Sequence, residues 1–469
     1  MRKAFVCLAL LLGWLLAQGP APVRSQPLIT GFADGLFSAS DAAVRDRWLG
    51  EAAGAAAGIV RLGAGWSSIA PTQPPSGLGA EPGWPGYRWD QLDGAVRSAS
   101  AHGLKIMITA SGAPRWAEGA DMPSTAKPGT WKPDPIAYGV FAKALARRYS
   151  GNFPDPEVPG MTLPRVSFFE AWNEPNLDEY LSPQWHGHEL FAAGWYRDML
   201  NRFYAGVKSV QPHAKVIAPG TAPYGDRPGG SRSPPVLFVR SLFCMKVGHL
   251  KSRGCPARAH LDVFSHHPIK VGKGPTAHAV SPLDVSPPDV WRLTAILHRA
   301  AETGRVLPHE KRPVWATELW WDSNPPDPIY GAPLRAQARW MELADYVLWR
   351  QGVSMVIYML MVDAPLVPPD YGSLQSGIFF IDGRRKPSYT AFRFPFVMRR
   401  VDANTVLAWG IAPVRGPVRV QSLKRGRWAT VGRLDAAPRM PFQLELEQRG
   451  GGSFRAVSGQ GTSLPWRQN

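Results

Sequence analysis

Two carboxylates stand out by type and setting. Glu174, in Phe169-Glu170-Ala171-Trp172-Asn173-Glu174-Pro175-Asn176, and Glu318, in Val314-Trp315-Ala316-Thr317-Glu318-Leu319-Trp320-Trp321, each close an apolar, strand-like run among tryptophans. Such a pair suits cleavage of a glycosidic bond: one carboxyl group protonates the leaving oxygen, the other meets the oxocarbenium-like centre, and indoles stack on the sugars. A lone glutamate is ordinarily a solvated surface group or an ion-pair partner, since an unpaired buried carboxylate is costly. Glu170 is too far along the same strand from Glu174, about 13 Å for four residues, to share one bond with it, and reads as a paired acid inside the fold.

In a double displacement the nucleophile attacks the anomeric carbon, the acid protonates the departing oxygen, and the same group then activates water as a base. That chemistry predicts carboxyl groups about 5 to 5.5 Å apart, with the acid's pKa raised and its partner ionised. It requires no metal and no organic cofactor.

The elements that must hold these groups alternate. Strand candidates are Leu28 to Gly31, Ile59 to Leu62, Lys105 to Thr109, Val166 to Trp172, Lys215 to Ala218, Leu261 to Ser265, Pro313 to Thr317 and Ser354 to Met359. Amphipathic helical stretches lie between them, such as Asp134 to Tyr149 and Leu334 to Arg350, and a last one is expected over Ser388 to Arg399. Eight strand and helix pairs predict an α/β protein, a (β/α)8 TIM barrel over residues 26–400, with a doubly wound open sheet as the alternative. Barrel active sites form at the C-terminal ends of the strands. Glu174 ends the fourth strand and Glu318 the seventh, on opposite sides of the mouth. Residues 401–469 read as short alternating strands, a small all-β domain expected to be a sandwich packed in support of the barrel.

Met1-Arg2-Lys3, the apolar run Ala4 to Ala17 and the Pro-containing stretch up to Ser25 read as a signal peptide over residues 1–25. The run is shorter than the roughly 20 residues of a membrane span. The expectation is therefore a secreted or extracytoplasmic protein with no integral membrane segment after processing. Cys244 and Cys255 then remain as a plausible single disulfide. With His249 and His260 they also offer four zinc-type donors, but without the paired short spacing of structural sites, and no metal is expected. The formal charge of +17 would still be +14 without Arg2, Lys3 and Arg24. It fits either general solubility or an anionic polysaccharide substrate. Basic residues are scattered and no nucleic-acid module is recognisable, so nucleic acid is not an expected partner.

The two carboxylate motifs resemble those of the clan A glycoside hydrolases, Asn-Glu-Pro closing the fourth strand and Thr-Glu closing the seventh. Glu170-Ala171-Trp172-Asn173-Glu174-Pro175-Asn176 looks most like family 39, which includes β-xylosidases, iduronidases and exopolysaccharide-cleaving enzymes. The resemblance covers Leu28 to about Arg400. It implies Glu174 as acid/base, Glu318 as nucleophile and Asn173 as a donor to the sugar's 2-hydroxyl. His267, in Ser265-His266-His267-Pro268, resembles the clan's strand-six histidine, although Ile269 replaces the tyrosine that commonly follows. Strand eight, Val356 to Met361, lacks the tryptophan that often floors the sugar site. Arg61, read at the end of the second strand, is a candidate cation for keeping Glu318 ionised, with a structural ion pair as the other reading. Trp116, Trp320 and Trp321, with Trp131, are candidate sugar platforms, each weighed against core packing.

The sequence therefore points to an exported retaining O-glycoside hydrolase acting on an oligo- or polysaccharide. A noncatalytic carbohydrate-binding barrel and a transglycosylase are the alternatives. Sugar identity, linkage, and exo versus endo cleavage do not follow from the motifs.

Overall fold

A computed structural model describes residues 26–245, 257–367, 374–459 and 461–468. The expected signal peptide, residues 1–25, lies outside them. Eight strands close a parallel barrel in chain order: β1 (Ile29–Ala33), β2 (Ile59–Gly65), β3 (Lys105–Ser111), β4 (Phe168–Ala171), β5 (Lys215–Thr221), β6 (Val263–His266), β7 (Val314–Leu319) and β8 (Val353–Met359), which pairs back to β1. The strands read as near-continuous apolar runs because both faces are covered. Ile59, Met107, Ile217, Val263, Trp315, Met355 and Ile357 pack in one cluster with Ala33, and the larger apolar cluster joins the strands to the helices outside.

The helical ring comprises α1 (Ala42–Gly54), α2 (Asp90–Ala101), α3 (Pro135–Arg148), α4 (Ala192–Lys208), α5 (Pro235–Leu242), α6 (Trp291–Glu302), α7 (Leu334–Arg350) and α8 (Pro387–Arg393). α3 shows why such a segment starts where it does: Asp134 accepts from the amide of Ile136 at 2.7 Å, and Pro135 occupies the first turn. Expectation and structure part at the last helix. The segment Ser388 to Arg399 is helical only to Arg393, because Pro395 forces Phe394 into an extended conformation (φ −143°) and Phe396–Arg400 then forms a strand.

That strand, β9, belongs to the C-terminal β structure. β9 pairs β10 (Thr405–Gly410), which pairs β13 (Phe442–Glu447). A second sheet orders β12 (Arg427–Ala436), β11 (Gly416–Lys424), β14 (Gly452–Ser458) and β15 (Gly461–Thr462), with β16 (Trp466–Gln468) on β14. Phe394, Phe396, Val418, Val420, Phe442 and Phe454 share its apolar core. It docks on α7, where Trp409 meets Tyr346 and Trp349 at 5.5 and 5.9 Å and the Arg339 guanidinium lies 4.2 Å over Trp466. Among the described residues no helix is long and apolar enough to cross a membrane.

Candidate active site

Glu174 lies three residues past β4, in a turn that enters the left-handed region at Trp172 (φ 73°) and again at Glu174 (φ 39°). Neither residue is glycine, so the turn holds strain on the order of 1–3 kcal/mol per residue, which surrounding contacts must offset. The amide of Trp172 donates to Ala110, its indole to the carbonyl of Tyr180 at 2.8 Å, and the amide of Glu174 to Gly220 at 3.1 Å. Gly220 (φ 58°) has to be glycine for a second reason: a Cβ there would meet Glu170 Oε1 at 3.2 Å and His267 Nε2 at 3.4 Å.

Glu318 is aimed by a β-bulge. Ala316 pairs with Val356 and Leu319 with Tyr358, so three steps along β7 match two along β8. As a result the adjacent side chains of Thr317 and Glu318 both approach one imidazole: Thr317 Oγ1 is 3.1 Å from His267 Nε2, and Glu318 Oε2 is 3.8 Å from His267 Nδ1. His267 Nδ1 lies closer to Glu174 Oε1, at 2.8 Å. One oxygen of each glutamate and a ring nitrogen of His267 fall within 4.8 Å of one another.

Arg61 sits mid-strand in β2 rather than at its end, because β2 continues to Gly65. Its guanidinium bonds Glu170 Oε2 at 2.8 Å, donates to Thr109 Oγ1 at 2.9 Å and to Asn173 Oδ1 at 2.7 Å, and reaches Glu318 Oε2 at 3.3 Å. Arg61 is thus the ion-pair partner of Glu170 and also touches Glu318. The bond from Arg61 fixes Asn173 by its Oδ1, in the wall of the cleft. Glu170 is the paired acid that strand spacing implied. Burial would raise its pKa, but Arg61 and His267 hold the carboxyl below its ordinary range.

The surroundings of Glu318 differ from expectation. Burial, joined by the charge of Glu174, moves its carboxyl above the ordinary range against the pull of His267 and Arg61. Burial and the neighbouring Arg61 thus act on Glu318 in opposite senses, and burial outweighs the cation. Burial pulls His267 down, yet the charge of Glu318 and the hydrogen bond with Glu174 outweigh it and raise the imidazole. Buried His266, by contrast, is pushed down to about 3 by desolvation and bonds Thr221 and the Val285 carbonyl. It is a neutral structural group.

Glu174, His267 and Glu318 are also, among the described residues, a donor set that could hold a metal ion. His267 already bonds Glu174, and Arg61 stands beside Glu318 as a counter-cation, so the cluster balances its charge from its own side chains. The other zinc-type set does not assemble in view: Cys244 is disulfide-bonded, His260 bonds Asn201 at 3.1 Å, and His249 and Cys255 lie outside the described residues.

A cleft of about 770 Å³ opens over Glu318, with Arg61, Asn173 and Tyr180 also in its wall. Two arginines, Arg61 and Arg88, face three carboxylates, Asp34, Asp90 and Glu318, so the chain's basic excess is not gathered there. Two of the tryptophans singled out as platforms are committed elsewhere. Trp321 is buried and donates to the carbonyls of Lys270 and Lys273, and Trp116 donates to Ala70 while packing edge-on to Trp66. Trp131 donates to Asp121, and Trp320, half-buried, is outside the lining of this cleft. Tyr180 and Thr109 were not singled out from sequence. Both follow patterns that were in view: Thr109 closes the third strand candidate, and Tyr180 falls six residues after Glu174.

No family model matches the chain. Over 128 residues it is 34% identical to a probable glucan 1,3-beta-glucosidase A of Aspergillus clavatus, a match covering 27% of this chain and 26% of that protein. The chain thus spans about a quarter of the length of the curated relative it matches. Among solved structures it is similar to a family 39 glycoside hydrolase from Bacteroides cellulosilyticus WH2, with a TM-score of 0.54 and 18% identity over 90% of this chain and 81% of that one. A family 39 enzyme from Xanthomonas axonopodis pv. citri has a TM-score of 0.50 and 15% identity, covering 91% of this chain and 92% of that one. A glucosidase from Croceicoccus marinus has a TM-score of 0.50 and 14% identity, covering 91% and 94%. At these identities the likeness is one of fold.

Proposed function

We propose that this chain is a glycosidase hydrolysing O-glycosyl bonds by double displacement, with Glu318 as nucleophile and Glu174 as acid/base. The observation that carries the reading is the pair of glutamates whose oxygens lie within 4.8 Å, bridged by His267 and backed by Arg61. Retaining enzymes hold their two carboxyl groups about 5 to 5.5 Å apart, against about 6.5 to 9.5 Å in inverting ones, and the close approach of one oxygen from each glutamate supports the former. The fold likeness to family 39 enzymes and the short match to a glucan glucosidase support the same reading.

In the first step a Glu318 oxygen bonds the anomeric carbon as the glycosidic C–O bond breaks, and the proton of Glu174 passes to the leaving oxygen. In the second, Glu174 takes a proton from water, the water oxygen bonds the anomeric carbon, and Glu318 is released. Attack requires Glu318 ionised, and Arg61 at 3.3 Å and His267 at 3.8 Å favour that form against the opposing effect of burial. Asn173, its oxygen held by Arg61, presents its amide to the sugar. The mixed charge of the cleft favours a neutral glycan over an anionic one. We propose export as well, on the strength of the leader-like residues 1–25.

The test is product release from an array of polysaccharides and aryl glycosides, with the parent and Glu318→Gln side by side. Sugar released by the parent and not by the variant supports the reading. Silence from a properly folded parent across the array turns it toward a binding protein, and products longer than the substrate toward a transglycosylase.

A further inference from the structure

We infer that the Tyr180 hydroxyl is a hydrogen-bond donor to the sugar seated in this cleft beside Glu318 and Asn173. The inference rests on the glycosidase reading and deepens it.

Among the described residues lining the cleft, Tyr180 is the one aromatic side chain, beside an otherwise aliphatic and polar wall that includes Ile69, Leu92 and Met359. It shares this wall with Glu318 and Asn173. Its hydroxyl makes no hydrogen bond among the described residues, whereas the buried phenols nearby are committed: Tyr138 donates to the Ala110 carbonyl and Tyr196 to that of Ala171. A half-buried phenol without an internal partner, facing an open cleft, is free to donate to something that enters it.

Its place is fixed rather than adventitious. The Tyr180 carbonyl accepts from the Trp172 indole, and its amide donates to Leu177, so the ring rides on the same strained turn that carries Glu174. Burial and the negative charges of Glu174 and Glu318 hold the phenol well above its ordinary pKa, so it keeps its proton throughout the working range and faces carboxylates only as a donor. With no acceptor on the protein, its hydrogen is available to a ring hydroxyl or ring oxygen of a sugar held against this wall.

The test is Tyr180→Phe, which keeps the ring and removes only the donor, assayed beside the parent and Glu318→Gln on whichever aryl glycoside the parent cleaves. The expected result is a fall in kcat/KM of about 10- to 100-fold. A variant with the parent's kcat/KM overturns the role of Tyr180 while leaving the glycosidase standing. A folded parent with no activity overturns the glycosidase reading, and this one with it.

Discussion

His267 Nδ1 stands 2.8 Å from Glu174 and 3.8 Å from Glu318, so the imidazole is bonded to the proposed acid/base and only adjacent to the proposed nucleophile. Arg61, on the other side, touches Glu318 and not Glu174. Each carboxylate thus has its own nearest basic side chain, and the two should respond differently when those neighbours are removed.

Replacing Glu174 by Ala should slow substrates with poor leaving groups by about 10²- to 10⁴-fold while sparing aryl glycosides whose phenols depart unassisted. Rates against leaving-group pKa would show a steep dependence in the variant and a shallow one in the parent. Parallel lines would remove Glu174 from the acid role.

Arg61→Leu should be destabilising as well as inactivating. It strands Glu170, fully buried, without its cation, and breaking a buried pair from one side costs about 3–5 kcal/mol. Because Glu170 is held below its ordinary range, its contribution is present above that range and lost as pH falls through the depressed value. Arg61→Leu should therefore raise the pH of acid unfolding. Adding Glu170→Gln should recover stability without recovering activity, as urea titration and the aryl glycoside assay would read together.

Asp345 on α7 is pushed up to about 7 by burial. The geometry agrees: the Tyr358 hydroxyl has one hydrogen but lies 3.1 Å from the Met341 carbonyl and 2.8 Å from Asp345, and a protonated Asp345 supplies the missing donor. A raised carboxyl contributes its stability in full below the unfolded value, near 4, and loses it as pH rises through about 7. Asp345→Asn should flatten the decline in unfolding free energy over that window, on the order of a few kcal/mol in the parent. Identical slopes in the two proteins would exclude a neutral Asp345.

Trp321→Phe should lower stability by about 1–3 kcal/mol, since the carbonyls of Lys270 and Lys273 both lose their indole donor, and should leave KM near that of the parent. A large rise in KM with unchanged stability would return Trp321 to the sugar site.

The eight barrel strands were legible because strands buried on both faces are written as unbroken apolar runs, and Glu174 and Glu318 because their flanking residues form compact motifs. Trp116 and Trp321 were less legible. Whether an indole faces the core or the cleft depends on which carbonyl lies within reach of its nitrogen, and Ala70 and Lys270 are distant in sequence from the rings they receive. Over Ser388 to Arg399 the apolar residues Tyr389, Phe392 and Phe396 are spaced like a helix face, yet Pro395 divides them between two elements. Tyr180 carried no local signal beyond its distance from Glu174. Its relation to the cleft arises only when the turn after β4 folds back.

The bulge in β7 has a consequence for how this barrel tolerates change. In a regular strand neighbouring side chains face opposite sides of the wall, so Thr317 and Glu318 could not both address His267. One surplus residue makes them co-facial. An insertion or deletion between Ala316 and Leu319 would therefore not be absorbed by the following loop: it would turn the carboxylate outward toward the helices and leave the threonine alone at the mouth. Drift in length can accumulate in the loops around the rim, but in this stretch of wall a single codon separates a barrel whose two glutamates meet at one imidazole from one of the same shape in which they do not.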